Sequence, residues 1–263
     1  MSRGSATREK RILIPGFHAV RETLLREETK IEAVWVAKGR GRERVREILE
    51  MAHGKGIPVL FKEGHDLDRH LPGVSHQGIA ALMGGFAYSG LTELVDRHSQ
   101  HSEQGLLVAA DHITDEGNLG ALIRTAAFFG IHGLILPRDR SAKVTGKVIK
   151  RSSGACAHLP IAQVVNLGRS LDRLREEGFW IIGTAGEARV SIYEFDWNRD
   201  LVLVLGSEEK GLSRSIRERC HQTVRIPGSG HVSALNVSVA GGIILAEILR
   251  QRQAAGSSLG RRF

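Results

Sequence analysis

An alternation of apolar runs and helical patterns across the second half of the chain constrains the fold more than any other sequence feature. Near-continuous apolar runs, typical of strands that are covered on both faces, occupy residues 106–110, 134–136, 179–183 and 201–205. Segments with the three- and four-residue spacing of helices occupy residues 117–129, 144–151, 167–177 and 237–249. This order predicts a parallel sheet with helices on both faces. Ligands of such sheets bind beyond the carboxyl ends of the strands, so we expect the functional site there.

The first half of the chain predicts a smaller α/β/α unit. Strands are expected at residues 33–36, 57–61 and 79–83, with helical patterns between them. We therefore divide the chain into a disordered basic tail at 1–11, a small domain at 12–85, a linker at 86–104, a sheet domain at 105–252 and a flexible C-terminal tail at 253–263.

The charge of the chain favours a polyanionic partner. Lysine and arginine number 37 against 29 acidic residues, which gives a net charge of +8 at pH 7. Two basic clusters stand out: Lys38, Arg40, Arg42, Arg44 and Arg46 form the first, and Arg138, Arg140, Lys143, Lys147, Lys150 and Arg151 form the second. Such clusters predict a track for nucleic acid. Aromatic residues make up only 5% of the chain, which does not favour a platform for base stacking.

Composition also limits location and redox chemistry. The longest mostly apolar run lies within residues 237–249, which is too short to span a bilayer. The basic N-terminus lacks the apolar stretch of a secretion signal. Cys156 and Cys220 are far apart and form no ligand pair, which fits a reducing cytoplasm and argues against zinc or disulfide scaffolds. We expect a cytoplasmic protein that binds no metal.

The first of three predicted strand-to-helix junctions lies at residues 111–124. Asp111 ends a strand, and Asn118 is expected to precede the next helix. Gly120 and Arg124 lie four residues apart on one helical face, so Arg124 is expected to reach back over Gly120 toward Asn118. A guanidinium, an amide and the positive end of a helix suit a phosphate or a developing oxyanion.

The other two junctions follow the strands at 201–205 and 223–226. The first runs from Gly206 through Glu208 to Gly211 and has the spacing of a phosphate loop, but Leu212 stands where that loop needs lysine. In the second, a loop at 228–233 leads to a helix for which Asn236 is the expected N-cap. A GxSxG match at 256–260 follows no strand and is not interpreted as a hydrolase motif.

Together the three junctions resemble the motifs of a known family. NLGALIRTA, LVLGSEEKG and IPGSGHVSALNVSVA, in this order, resemble the three motifs of the TrmH (SpoU) branch of the SPOUT superfamily, whose members are S-adenosylmethionine-dependent RNA ribose 2′-O-methyltransferases. The resemblance covers residues 105–252. GFHAVRETL and SHQGIAA are similar to the L30e-like substrate-binding domain of the same branch.

The resemblance implies an α/β fold with a deep trefoil knot, a homodimer and a ribosomal RNA substrate, namely a guanosine of large-subunit (23S) RNA. It implies that S-adenosylmethionine binds at Gly206, Ile226, Leu235, Thr184 and Gly186. It also implies catalytic roles for Arg124, Asn118, Glu208 and Asn236, and RNA contacts for Arg40, Arg42, Arg44, Arg138, Arg140 and Lys143. The alternatives are a transfer-RNA methyltransferase of the same branch and an RNA-binding assembly protein without catalysis.

Three parts of this site need separate comment: Arg124, Glu208 and the positions that depart from the family pattern. A guanidinium with a pKa above about 12 is a poor base, so Arg124 is expected to stabilise the alkoxide while the proton passes to another group or to water. Glu208 either anchors the ribose-orienting network or serves as a structural carboxylate for loop N–H groups. Gly228 and Ala234 replace the methionine and serine of many relatives, and Ser233 is expected to compensate for the lost hydroxyl.

Overall fold

The computed structural model describes residues 11–26, 29–39, 42–99, 104–232 and 234–256, and side chains at 42–44 and 97–99 lie outside this description. The strands are β1 (Ile12–Pro15), β2 (Ile31–Ala37), β3 (Val59–Lys62), β4 (Ile79–Met83), β5 (Leu106–Ala110), β6 (Gly133–Pro137), β7 (Ile161–Val164), β8 (Trp180–Thr184), β9 (Val190–Ser191), β10 (Leu201–Leu205) and β11 (Gln222–Arg225). The helices are α1 (Phe17–Leu25), α2 (Arg42–Gly54), α3 (Gly64–His70), α4 (Leu91–Ser99), α5 (Glu116–Phe128), α6 (Gly146–Arg151), α7 (Leu167–Glu176), α8 (Arg214–Arg217) and α9 (Val237–Ala254).

The chain forms two compact units. The first combines Met1–Ala87 with Val144–Ala157, and the second combines Tyr88–Lys143 with His158–Phe263. The second unit differs from the predicted sheet domain at 105–252, because it includes the predicted linker from residue 88 onward and lacks residues 144–157. Within the first unit, α6 packs against β1 and α1. Gly146 permits this packing, since a Cβ atom there would lie 2.0 Å from the carbonyl oxygen of Leu13.

The first unit contains a mixed sheet with the strand order β1-β4-β2-β3 among the described residues. β4 pairs antiparallel with β1 and β2, whereas β2 and β3 are parallel. Sequence analysis missed β1, which is only four residues long and ends on Pro15. The buried side chains of Ala19, Val20 and Leu24 hold α1 against this sheet.

The second unit contains the predicted parallel sheet. Its described strands follow the order β7-β6-β5-β10-β8-β11-β9, and every pairing is parallel. All residues of β5, β6 and β10 are buried, as expected for strands that are covered on both faces. The α/β class and the parallel sheet are therefore confirmed. Sequence analysis missed β7 and β9, which have four and two residues.

α5 and α9 pack side by side and place their N-terminal ends at the carboxyl edge of the sheet. Two consecutive glycines of α9 permit this approach. A Cβ atom at Gly241 would lie 3.1 Å from Cδ1 of Leu122, and one at Gly242 would lie 3.3 Å from Cγ2 of Thr125. Within the described ranges, no helix is both long enough and apolar enough to cross a membrane.

Candidate active site

A hydrogen-bonded network joins three of the predicted site residues at the carboxyl edge of the second sheet. The carboxylate of Glu208 accepts hydrogen bonds from Nδ2 of Asn118 at 2.8 Å and from Nδ2 of Asn236 at 2.5 Å. Nδ2 of Asn236 also donates to Oδ1 of Asn118 at 2.8 Å. The structure thus brings together one side chain from each of the three junctions.

The local structure of each helix start explains how the two amides reach Glu208. Asp115, and not Asn118, is the N-cap of α5, and its carboxylate accepts from the backbone N–H of Asn118 at 2.7 Å. The expectation that Asn118 precedes this helix was wrong, because the Asp115 carboxylate already fills the capping position. The side chain of Asn118 is therefore free to bond outside its own helix.

Asn236 is the N-cap of α9, as predicted. Its Oδ1 accepts from the backbone N–H of Ser238 at 3.0 Å and from the Ser238 hydroxyl at 2.6 Å. Because Oδ1 is occupied by the cap, Nδ2 faces Glu208 and Asn118, which fixes the orientation of the amide.

The structure contains contacts for both roles proposed for the Glu208 carboxylate. The carboxylate bonds the two site amides and also accepts from the backbone N–H of Val237 at 3.2 Å. It therefore holds the start of α9 and orients the amides at the same time.

Arg124 lies apart from this network. It is six residues beyond Asn118 in α5, a rise of about 9 Å, and its side chain is exposed. Among the described residues it forms no hydrogen bond or ion pair. The expected contact with Asn118 is absent within that part of the chain, and no side chain or backbone group there competes with a ligand for the guanidinium N–H groups.

A cavity of about 830 Å³ adjoins the network. All five residues predicted to bind the methyl donor line it: Thr184, Gly186, Gly206, Ile226 and Leu235. Its apolar walls come from Leu205, Val224, Val237, Ile243 and Ile244. The volume lies in the range of about 300–1,000 Å³ that is typical of ligand pockets.

Gly206 lines this cavity and lies in tight backbone contact with Gly211. A Cβ atom at Gly206 would lie 2.2 Å from the carbonyl carbon of Gly211, so a side chain there would displace the loop. Ser207 and Gly211 exchange backbone hydrogen bonds at 2.8 and 3.1 Å. The loop is thus a closed turn, which differs from the open anion cradle of a phosphate loop.

One ion pair lies among the residues that line the cavity. The guanidinium of Arg217 bonds the carboxylate of Glu187, and both residues line the cavity. The backbone N–H of Glu187 and, after it, Arg217 hold the pKa of the Glu187 carboxyl below its usual value. Sequence analysis missed both residues, because Arg217 lies on a four-residue helix that leaves no periodic pattern.

Part of the first predicted basic cluster lies outside the described residues, and the second cluster is divided between the two units. Arg40 and the side chains of Arg42 and Arg44 lie outside the described residues. Arg138, Arg140 and Lys143 are exposed in the loop after β6 of the second unit. The rest of the second cluster, Lys147, Lys150 and Arg151, belongs to the first unit.

The two positions that depart from the family pattern lie beside the cavity. Gly228 and Ala234 are exposed and line the cavity, whereas Ser233 lies outside the described residues.

Burial raises the pKa of the Cys156 and Cys220 thiols to about 11. Within the described ranges, no group of three or more histidine, cysteine and acidic side chains could hold a metal ion.

Comparison with known proteins yields two family matches. The family described as SpoU rRNA Methylase matches residues 105–246. The family described as RNA 2′-O ribose methyltransferase substrate binding matches residues 13–88.

Individual relatives match along most of the chain. The 23S rRNA (guanosine-2′-O-)-methyltransferase RlmB of Pseudomonas aeruginosa is 41% identical over 237 residues, which cover 90% of this chain and 95% of that protein. The putative TrmH family tRNA/rRNA methyltransferase YacO of Bacillus subtilis is 35% identical over 241 residues, or 92% and 96% of the two chains. The crystal structure of the SpoU methyltransferase AviRb from Streptomyces viridochromogenes, in complex with AdoMet, has a TM-score of 0.79 at 25% identity and covers 96% of this chain and 95% of its own.

Proposed function

Since the chain belongs to the SpoU rRNA methylase family, whose members are RNA methyltransferases, we propose that it methylates the ribose 2′-hydroxyl of a guanosine in large-subunit (23S) ribosomal RNA. The methyl donor of this proposal is S-adenosylmethionine. The observation that carries the proposal is the Asn118–Glu208–Asn236 network beside a cavity of about 830 Å³.

The cavity suits the donor in shape and chemistry. Its apolar walls, among them Ile226 and Leu235, can enclose a purine ring, while Gly206 exposes backbone without a side chain. The rim residues Arg217 and Glu187 carry the charges that would complement the carboxylate and ammonium of a methionine moiety. When bound, this donor supplies an electrophilic methyl group on a sulfonium.

The site residues take distinct roles in this proposal. Asn118 and Asn236 orient the ribose, and Glu208 holds both amides in place. Positioning of this kind supplies much of the rate, because the transfer needs the attacking oxygen in line with the methyl group. The exposed guanidinium of Arg124 stabilises the developing alkoxide and holds the adjacent phosphate.

Several broader features belong to the same proposal. The position of β10 between β5 and β8, with α9 packed on α5, supports a trefoil knot around the cavity. We propose that the first unit is an L30e-like RNA-binding domain, that the exposed Arg138, Arg140 and Lys143 contact RNA, and that the protein acts in the cytoplasm as a homodimer. We also propose, from the sequence alone, that Arg40, Arg42 and Arg44 contact RNA.

Transfer RNA is the second candidate substrate, because the name of the related YacO protein includes both tRNA and rRNA. The two substrates are distinguished by a methylation assay with total ribosomal RNA and total transfer RNA from a strain that lacks the gene. Mapping of the methylated nucleotide then identifies the target. Modification of transfer RNA alone would replace the ribosomal assignment.

Arg124→Ala tests the catalytic proposal directly. We expect turnover to fall by at least about 100-fold, because a donor to the developing alkoxide is lost. The dissociation constant for S-adenosylmethionine, measured by calorimetric titration, should stay within about twofold, because Arg124 does not line the cavity.

The control is Arg169→Ala, which removes an exposed arginine of α7 that does not line the cavity and whose side chain forms no bond among the described residues, and it should leave turnover unchanged. Full turnover of Arg124→Ala would remove the role of Arg124. Absence of donor binding to the wild-type protein would instead favour an RNA-binding protein without catalysis.

A further inference from the structure

Helix α6 carries a basic patch of the first unit. Its cations are Lys147, Lys150 and Arg151, which lie within the methylase family match at 105–246 and outside the substrate-binding match at 13–88. In the structure, α6 nevertheless belongs to the first unit. These three cations and Gln77, a residue of the same unit, form what we call the α6 patch.

The outer face of α6 presents two cations to solvent. The helix packs against β1 and α1, and its apolar residues Val148 and Ile149 are buried. Lys147 and Arg151 lie four residues apart, so they are neighbours on the helix surface, and both are exposed. Neither side chain forms a hydrogen bond or an ion pair among the described residues. Both charges are therefore available on a helix whose position is fixed by its buried face.

Lys150 connects α6 to the loop at residues 75–78. Its Nζ donates to the carbonyl oxygen of Ser75, which leaves the other N–H groups of the ammonium for a further acceptor. Burial and, after it, the charge of Arg151 lower the pKa of Lys150. A bound anion would offset both effects, because an opposite charge favours the protonated form.

Gln77 lies in the same loop, with its amide fixed in one orientation. Oε1 accepts from the backbone N–H of Phe17, the first residue of α1, at 3.0 Å. Nε2 forms no hydrogen bond among the described residues, and the side chain is exposed. The φ of Gln77 is 55°, in the left-handed region that residues other than glycine rarely adopt. Strained positions of this kind often occur at functional sites, and here the strain coincides with an exposed N–H donor.

Gly16 brings the amide of Gln77 and the side chain of Lys150 onto one surface. A Cβ atom at Gly16 would lie 3.5 Å from Oε1 of Gln77 and 3.9 Å from Cε of Lys150. Both side chains therefore adjoin a position that has no side chain of its own. Because Arg151 follows Lys150 directly and Lys147 lies one turn before Arg151, the donors of the patch are continuous.

The α6 patch offers hydrogen-bond donors and positive charge without a free acceptor. Lysine and arginine side chains have no acceptor, and Oε1 of Gln77 is already occupied by Phe17. No carboxylate forms an ion pair with the three cations in the described part of the chain. Such a surface suits phosphate oxygens, which only accept hydrogen bonds.

We propose that the α6 patch binds the phosphodiester backbone of the substrate RNA. Lys147 and Arg151 attract the phosphates by charge, while Nε2 of Gln77 and the remaining N–H groups of Lys150 donate to their oxygens. The first unit thus takes part of its RNA contacts from a segment that lies outside its own family match. This inference rests on the proposed function, because it takes RNA as the substrate.

The double variant Lys147→Gln/Arg151→Gln tests the charge of the patch. The measurement is the dissociation constant of the full-length protein for deproteinised ribosomal RNA from a strain that lacks the gene, determined by filter binding at several salt concentrations. We expect weaker binding and a slope of log affinity against log salt that is shallower by about 1.4–1.8, the change for two lost phosphate contacts. The control is Lys55→Gln/Arg69→Gln, which removes the same charge from exposed, unbonded positions among the described residues of the same unit. It should keep the wild-type slope.

Gln77→Glu tests the amide without removing the bond to α1. The new carboxylate can still accept from the backbone N–H of Phe17, but an anionic oxygen replaces the Nε2 donor. We expect affinity for the same RNA to fall about tenfold while the urea midpoint of unfolding stays unchanged. Gln253→Glu makes the same charge change at an exposed position of α9 and should change affinity by less than about twofold.

Two results would overturn the inference. One is a wild-type salt slope in Lys147→Gln/Arg151→Gln, and the other is equal affinity of Gln77→Glu and Gln253→Glu. Lack of RNA binding or of methylation by the wild-type protein would contradict the proposed function instead, so the two failures are distinguishable.

Discussion

The two ends of α9 are held by networks of opposite character. At the carboxyl edge of the sheet, Asn236 and Glu208 share an exposed network with Asn118. At the amino edge, Arg252 is fully buried, and its guanidinium donates to four backbone carbonyl oxygens. These belong to Gln104 at 2.8 Å, Gly105 at 3.1 Å, Trp197 at 3.3 Å and Arg199 at 2.7 Å.

The difference separates stability from function along one helix. Burial lowers the pKa of Arg252 to about 10, so it remains charged at neutral pH and depends on its four acceptors. Those bonds leave little capacity for a ligand. Water can replace each bond of the exposed network, so that network contributes little to stability but remains accessible to a substrate.

Arg252→Met should have the largest effect on stability. We expect the free energy of unfolding to fall by about 3–5 kcal/mol, because a buried cation is removed from carbonyl groups that then lack a donor. Urea unfolding followed by circular dichroism measures the change. Arg252→Lys, which keeps the charge but cannot span four acceptors, should give an intermediate loss. A loss below about 1 kcal/mol for Arg252→Met would show that the two ends do not differ in this way.

Glu208→Gln should affect activity more than stability. The new amide would place N–H groups against the donors of Asn118 and Asn236, so the network would rearrange. We expect kcat/KM to fall by about 10- to 100-fold and the free energy of unfolding to change by less than about 1 kcal/mol. Glu209→Gln is the control, since Glu209 is exposed and unbonded among the described residues. Equal losses in the two variants would contradict a specific role for Glu208.

Arg217→Gln should have the smallest effect. Its exposed ion pair with Glu187 contributes less than about 1 kcal/mol to stability, but its position on the cavity should matter to the donor. We expect the dissociation constant for S-adenosylmethionine to rise by up to about tenfold, which equals about 1.4 kcal/mol. Arg214→Gln breaks an exposed pair with Glu218 that does not line the cavity and should leave donor affinity unchanged. Equal affinities of both variants would exclude Arg217 from donor binding.

The features that were predictable from sequence depend on local periodicity. The apolar runs at β5 and β10 and the cap at Asn236 were all visible in short windows, and the parallel α/β sheet follows from their order. The family resemblance added the five residues that are proposed to bind the methyl donor, and all of them line one cavity.

The features that sequence reasoning missed depend on distant contacts or on very short elements. Arg252 reads as one more cation on an amphipathic helix, yet it bonds Gln104, which lies 148 residues earlier. Asp111 is buried, and its carboxylate accepts from the backbone N–H of Ser213, which lies 102 residues later. β1 and α8 have four residues each, too few for a periodic signal.

Residues 144–157 belong to the first unit although they follow part of the second unit in the sequence. This order has a consequence for folding on the ribosome. The side chains of Val148 and Ile149 are buried in that unit, so its hydrophobic core is incomplete until the chain has been synthesised past residue 157. By then, β5 and α5 of the second unit have already been made. The first unit therefore cannot complete its core before part of the second unit has been made, and a fragment that ends at residue 88, where the substrate-binding family match ends, would lack part of that core.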